Sequence, residues 1–362
     1  MKKKIIVLAN NSGGLYRFRK ELISSLISSD FEVIASTPFD SNIEDLKKIG
    51  IKLIEIDINR RGMNPIKDSK LILDYFKLIK KEKPSLIITY TIKPNLYGTL
   101  IARFLKIPYA INITGLGSAF QNDNWLRKMI IGWYKFVCKK VKVIFFENEG
   151  NKQTFLDFNI VEENKTCVLN GAGVNLHDFY FSEYPDSDDK IHFLFIGRIM
   201  KEKGVDELFF AIEKIHKQNK NVVLDILGSF EDNYQSKIDN LVENGIVNYY
   251  GVQNDVRPFI KKSHCFVLPS YHEGMANTLL ENAAMGRPLI TSNIFGCKEA
   301  VIDKKNGYLI EVKNKDDLYD KMQTFIHLPL EEKQKMGKFS REHIEDIFDK
   351  EKVVKKTIKY LY

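Results

Sequence analysis

An α/β chain of two domains, each built on a doubly wound parallel sheet, is the fold class the sequence predicts. Three observations predict it. At 362 residues the chain is long for one hydrophobic core and comfortable for two. Short Ile/Val-rich runs alternate with amphipathic helical stretches, the pattern of a parallel sheet covered on both faces. The alternation also halts once, at the acidic, proline-bearing stretch FYFSEYPDSDDK (179–190), and then starts again.

The strands expected in the first half are KIIVLA (4–9), FEVIAS (31–36), IKLIEID (51–57), SLIITY (85–90), IPYAIN (107–112) and VKVIFF (141–146). Amphipathic segments such as residues 65–83 separate several of them. The second half offers IHFLFIG (191–197), NVVLDILG (221–228), IVNYYG (246–251), HCFVLPS (264–270) and RPLITS (287–292). The expected division is a first domain over 1–178, a linker over 179–190, a second domain over 191–345, and a C-terminal helix over 346–362 packing back on the first domain. Ligands of such sheets bind at the carboxyl ends of the strands, so a cleft between facing domains is the expected pocket.

Composition narrows the class. A hydrophobic content of 44% with 28% charged residues describes a globular chain. No apolar run reaches the length needed to cross a bilayer. The basic Met1–Lys4 start is followed by IIVLAN, too short for a signal-peptide core and better read as a strand. Four scattered cysteines, Cys138, Cys167, Cys265 and Cys297, show no metal-type pairing, so a reducing cytoplasm is the simplest home. The net charge of +8 is uneven: residues 1–175 hold 28 Lys+Arg against 17 Asp+Glu, and residues 176–362 hold 27 against 30. The basic first half points to an anionic partner. Without a zinc-finger, RNP-type or KH-type signature, an anionic membrane surface fits better than nucleic acid.

Three motifs carry chemistry. In ANNSGGLYRFRKEL (9–22), Gly13 and Gly14 sit where the first strand turns into a helix, and Arg17 and Arg19 follow. Adjacent glycines at a helix start admit a phosphate or a sugar; a plain tight turn, with both arginines solvated, is the alternative. The spacing is neither G-x-G-x-x-G nor a P-loop. In GRIMKEKGVDEL (197–208), Arg198 ends a strand and Lys203-Gly204 precede a helix, a placement suited to clamping a diphosphate. In SYHEGMANTLLENAAMGRPLI (270–290), Glu273 and Glu281 flank a helix start at which the N–H groups of Gly274, Met275, Ala276 and Asn277 can receive phosphate. The competing reading is a capping box, Thr278-x-x-Glu281, with no ligand at all.

GR-x4-KG, followed some 70 residues later by P-S-x-x-E-G and a second glutamate, resembles the retaining GT-B glycosyltransferases with the E-x7-E signature, over nearly the whole chain. GLYRFRKEL, TGLGSAF (114–120) and GVNLHDF are similar to the bacterial enzymes that extend undecaprenyl-diphosphate-linked oligosaccharides, such as the α-1,3-N-acetylgalactosaminyltransferases. The resemblance implies a GT-B architecture of two Rossmann-like domains and a transfer from a UDP-sugar to a polyprenyl-diphosphate-linked saccharide. Such transfers serve capsule or O-antigen polysaccharide assembly. Arg198 and Lys203 then hold the donor diphosphate, Glu281 the ribose and Glu273 the sugar, with Glu273, Arg198 and Lys203 as the catalytic set. Gly274 to Asn277 contact phosphate or sugar, and Gly13-Gly14 pack against the diphosphate. Arg17, Arg19, Thr114, Gly115 and Gly117 fall on the acceptor side. No cofactor and no metal is expected, and no enzymic nucleophile is assigned. Many relatives place a histidine near the donor sugar in the loop where this chain has Thr114, a departure from the pattern.

The acid-free segment 124–146 holds Arg127, Lys128, Lys135, Lys139, Lys140, Lys142 and two Trp, and reads as a basic aromatic face for an anionic membrane. The alternative is a core helix with solvated lysines. Together these imply an enzyme peripheral at the inner face of the cytoplasmic membrane. The other function classes are a transferase with a soluble acceptor, a nucleotide-sugar epimerase, and a non-catalytic nucleotide-sugar-binding protein.

Overall fold

The computed structural model describes residues 2–59, 64–117, 120, 125–186 and 190–362. Its contacts divide the chain into two compact units, Met1–Ala172 with Lys350–Tyr362, and Gly173–Asp349.

Among the described residues the first unit carries seven strands: β1 (Lys4–Leu8), β2 (Glu32–Thr37), β3 (Lys52–Glu55), β4 (Leu86–Tyr90), β5 (Tyr109–Ile113), β6 (Val143–Phe146) and β7 (Thr166–Val168). They form one parallel sheet in the order β3-β2-β1-β4-β5-β6-β7. The helices between them are α1 (Ser12–Ser28), α2 (Ile43–Lys48), α3 (Pro65–Glu82), α4 (Thr99–Phe104), α5 (Trp125–Cys138) and α6 (Glu149–Asp157). Central strands such as β4, LIITY, are buried along their whole length, and helices cover both faces of the sheet. Local chemistry sets the helix ends. At α3, Asn64 accepts from the N–H groups of Ile66 and Lys67, Pro65 supplies a preset first residue, and Lys83 turns left-handed at the end. Leu71, Tyr75, Leu78 and Ile79 form its buried stripe.

The second unit pairs β8 (Ile191–Ile196), β9 (Val222–Leu227), β10 (Val247–Tyr249), β11 (Cys265–Leu268), β12 (Leu289–Ser292) and β13 (Gly307–Ile310) in the parallel order β10-β9-β8-β11-β12-β13. Its helices are α7 (Val205–Gln218), α8 (Gln235–Glu243), α9 (Arg257–Lys262), α10 (Asn277–Ala284), α11 (Lys315–His327) and α12 (Leu330–Ile347). The last helix, α13 (Lys350–Leu361), belongs to the first unit. There Tyr362 stacks on Phe31 with ring centroids 4.7 Å apart, and Lys356 Nζ donates to the Val168 carbonyl at 2.8 Å.

Two strands escape the sequence reading, β7 and β13. The first has three residues and the second opens on glycine, so neither makes an extended β-branched run. The acidic stretch from 179 to 186 is packed into the second unit. Tyr184 is buried and donates to the His264 carbonyl, and the wholly buried Arg287 donates to Ser182 Oγ at 2.6 Å. Residues 187–189 of that stretch lie outside the described residues.

In each sheet the chain order reverses once, between β1 and β4 and between β8 and β11. The loops leaving the carboxyl ends of these four strands are where doubly wound sheets bind ligands.

Candidate active site

In the second unit, β8 runs out into Gly197-Arg198, and β11, its neighbour across the reversal point, runs out into Pro269-Ser270. The two loops interlock. Gly204 has φ +71°, and a Cβ there would stand 2.1 Å from the Pro269 carbonyl oxygen, so only glycine lets the chain pass. Tyr271 N–H adds a bond to the Glu202 carbonyl at 2.9 Å. This brings together two residues 70 positions apart: Lys203 Nζ pairs with Glu273 Oε1, with side chains only 18% and 12% exposed. Ser270 Oγ donates to the same oxygen at 2.8 Å. Arg198 lies on the same edge with its side chain 53% exposed, 3.5 Å from Glu231 Oε2.

The sequence motif is thus assembled into a cation–carboxylate pair at the strand reversal, with a second, exposed guanidinium beside it. The capping-box alternative does not form. Helix α10 starts at Asn277 with Ala276 as its cap and no side-chain cap bond, so Thr278 lies inside the first turn. Glu281 sits within that helix, partly buried. Of the backbone expected to meet a ligand, Ala276 N–H is already committed to the Gly296 carbonyl at 2.8 Å. Gly274, Met275 and Asn277 complete the loop and the first residue of the helix.

The glycine loop of the first unit is held by its own side chains. Asn11 caps α1 by accepting from Gly14 N–H, and Asp40 Oδ1 accepts from Ser12 N–H at 2.9 Å and Gly13 N–H at 3.3 Å. These N–H groups therefore bond to the protein's own side chains, and any approach of a ligand to Gly13-Gly14 is by close packing against their backbone. Arg17 is exposed, but Arg19 is no solvated helix charge. Its guanidinium pairs with Glu147 Oε1 at 2.6 Å and lies 4.6 Å over the Tyr90 ring. Burial pushes the Glu147 carboxyl up, against the opposing pull of Arg19. Thr114 directly follows β5, with Gly115 and Gly117 after it; Ser118 and Ala119 of the same motif lie outside the described residues.

Sequence reasoning missed four partners: Glu147 for Arg19, Glu231 for Arg198, Ser270 for Glu273, and Gly296 for Ala276. Ser270 and Glu231 each follow a strand that borders β8, so asking what pairs with each cation at that edge would have found them.

Two parallel-sheet α/β units with cationic and acidic groups at a carboxyl edge define the GT-B class, and solved structures agree on the fold. A glycosyltransferase from Rickettsia africae ESF-5 superposes with a TM-score of 0.82 at 19% identity, covering 99% of this chain and 98% of that one. Anabaena HepE in complex with UDP gives 0.79 at 13% identity, with 99% of each chain covered. Residues 4–148 match the family described as glycosyl transferase 4-like, and residues 178–343 match glycosyl transferases group 1. Among curated proteins, the N,N'-diacetylbacillosaminyl-diphospho-undecaprenol alpha-1,3-N-acetylgalactosaminyltransferase of Campylobacter jejuni is 30% identical over 340 residues, 89% of each chain. A UDP-Gal:alpha-D-GlcNAc-diphosphoundecaprenol alpha-1,3-galactosyltransferase of Escherichia coli is 27% identical over 317 residues, 79% of this chain and 80% of that one. The chain belongs to the group 1 glycosyltransferase family, and it is an enzyme of sugar transfer.

Proposed function

We propose that the enzyme moves an N-acetylhexosamine or galactose-type sugar from a UDP-sugar to a polyprenyl-diphosphate-linked saccharide, with retention at the anomeric carbon and without a metal, in the assembly of a bacterial surface glycan. The observation that carries the proposal is the Lys203–Glu273 pair at the β8/β11 edge with Arg198 beside it. The relatives named for transfer to undecaprenyl-diphosphate saccharides support the acceptor class.

The physical logic is an exchange of partners. A donor diphosphate arriving at this edge draws Lys203 away from Glu273, and the released carboxylate accepts hydrogen bonds from sugar hydroxyls. Arg198 joins Lys203 on the phosphates, since its exposed pairing with Glu231 is weak and easily given up. Backbone N–H groups at the start of α10 add to the same charge, and Glu281 takes the ribose. The acceptor hydroxyl then bonds to the anomeric carbon on the face from which the diphosphate departs. Its proton passes to a leaving phosphate oxygen, and the two cations stabilise the charge that develops there.

The acceptor is lipid-borne, and the first unit offers a face for it. Helix α4 packs between α3 and α5. Trp125 and Phe104, 69% and 72% exposed, stand out with Leu73 and Phe136 beside exposed Lys128, Lys135, Lys139 and Lys140. The arrangement suits an enzyme held at the inner face of the cytoplasmic membrane. Among the described residues no helix is long and apolar enough to cross one. Asn124, at the start of the basic segment, lies outside the described residues.

The deciding experiment is transfer from a panel of radiolabelled nucleotide sugars to synthetic polyprenyl-diphosphate saccharides, paired with thermal melts in UDP. Product on the lipid-linked acceptor and a UDP-dependent rise in Tm are expected. Equal transfer to a soluble acceptor lacking the lipid diphosphate would overturn the acceptor assignment.

A further inference from the structure

The loop after β12 carries a pair of residues with no place in the reaction as described. Gly296, at φ +88°, lies flat against the Glu273–Gly274 peptide: a Cβ on it would stand 2.6 Å from the Gly274 carbonyl oxygen and 2.8 Å from that of Glu273. Its own carbonyl takes the Ala276 N–H at 2.8 Å, and its N–H donates to Glu299 Oε2 at 2.8 Å. Glu299 is in turn fixed from behind, where the ring Nε2 of His343, on α12, is 2.8 Å from the Glu299 carbonyl. The chain of contacts runs from α12 through Glu299 and Gly296 to the backbone that carries Glu273.

The other carboxyl oxygen, Glu299 Oε1, is enclosed and has no hydrogen-bond partner. A buried acceptor left unpaired costs stability, so stability alone is a poor reason for a carboxylate here. What the residue does supply is a directional bond to the amide of Gly296, whose backbone abuts the loop that carries Glu273.

We propose that Glu299 is a positioning residue: through Gly296 it fixes the Glu273–Gly274 peptide, and so aims the Glu273 carboxylate at the donor sugar. The proposal rests on the reading of Glu273 as the sugar contact. It assigns Glu299 no contact with substrate and no proton to move.

The test compares Glu299→Ala, Glu299→Gln and Gly296→Ala in the full chain. Amide hydrogen exchange follows residues 274–277, and calorimetry uses UDP and UDP-N-acetylgalactosamine as probes. In Glu299→Ala the 274–277 amides are expected to exchange at least ~10-fold faster, with the β11 strand unchanged. UDP affinity should stay within about threefold, while turnover of the sugar nucleotide falls by about 100-fold, the usual result of a reacting group displaced by an ångström. Glu299→Gln keeps an acceptor oxygen and should restore near-normal behaviour, and Gly296→Ala should reproduce the loss. Unchanged exchange over 274–277 in Glu299→Ala overturns the proposal. So does a parallel loss of UDP binding, sugar-nucleotide binding and Tm that the Gln variant shares, because that is the signature of a merely structural residue. A native enzyme that binds no UDP would defeat the functional reading, and the exchange comparison would still decide whether Glu299 fixes the loop.

Discussion

At the scale of single residues, Lys203 and Glu273 neutralise one another at the β8/β11 edge, and the proposed donor site is built on that pair. Their separate roles can be parted by mutation. Arg198→Ala and Lys203→Ala should each lower transfer by roughly 100- to 1000-fold, the cost of removing one donor from a developing oxyanion. Lys203→Ala also leaves Glu273 largely enclosed with Ser270 as its neighbour, so its Tm should fall, whereas the exposed Arg198 should leave Tm unchanged. Near-normal turnover at saturating donor in either variant would remove the diphosphate clamp from consideration. The two glutamates separate by ligand. Glu281→Gln is expected to weaken calorimetric binding of bare UDP, and Glu273→Gln to reduce turnover far more than UDP affinity. With Ala276 as the cap of α10 and Thr278 inside the first turn, a capping box no longer competes for Glu281. If Glu281→Gln binds UDP as the native enzyme does, the ribose contact is wrong.

At the scale of elements, what could be read beforehand divides by sequence distance. The runs of β1, β4, β8 and β9 were legible because a parallel strand covered on both faces is mostly apolar, and the carboxyl end of β8 pointed to Arg198 and Lys203. The ties between elements were not legible. Arg19 and Glu147 are 128 positions apart, and no periodicity reports that α1 and the end of β6 meet. The start of α10 is likewise set by the Gly296 carbonyl twenty residues on, which a capping-box pattern cannot see. Another such tie carries a pH signature. Glu82, buried at the end of α3, accepts from Lys4 Nζ on β1 and Lys52 Nζ on β3, each at 2.8 Å. These hydrogen bonds hold its carboxyl down at about 2, from the usual 4.5. A depressed carboxyl stabilises the fold above the unfolded value and loses that contribution as pH falls from about 4.5 towards about 2. Allowing for the partly exposed lysines, the tie is worth on the order of 2 kcal/mol near neutrality. Glu82→Gln should therefore lower Tm by several degrees at neutral pH, with the gap to the native protein shrinking by roughly half by pH 3. A gap that does not change with pH would show that the ion pairs contribute nothing.

At the scale of the whole molecule, the fold sharpens a charge asymmetry that the sequence only outlines. Because α13 joins the first unit, that unit collects 33 Lys+Arg against 18 Asp+Glu, a net +15, while the second holds 22 against 29, a net −7. Apolar and basic groups coincide on the α3–α4–α5 face. Helix α5 buries Ile130, Ile131, Tyr134, Val137 and Cys138 and turns Trp125, Lys128, Lys135 and Phe136 outward, with exposed Lys139 just past its end. The aromatic groups are braced from below, with Phe76 against Phe104 at 6.3 Å, Tyr97 against Trp133 at 5.6 Å and the Arg103 guanidinium 4.0 Å over Phe136. A rigid face of this kind loses little side-chain entropy on contact, and each Lys or Arg near an anionic surface adds about 1 kcal/mol that salt screens away. Binding to anionic vesicles should accordingly fall steeply as ionic strength rises, and vesicles of neutral lipid at matched size should bind weakly. Reversing Lys135, Lys139 and Lys140 to Glu should abolish the salt-sensitive part. Trp125→Ala with Phe104→Ala should weaken what remains at high salt, with little change in Tm because both side chains are largely exposed. Sedimentation with vesicles measures both effects. A protein that ignores anionic vesicles at low salt, or whose binding survives the triple charge reversal, would show that the basic aromatic face has another purpose.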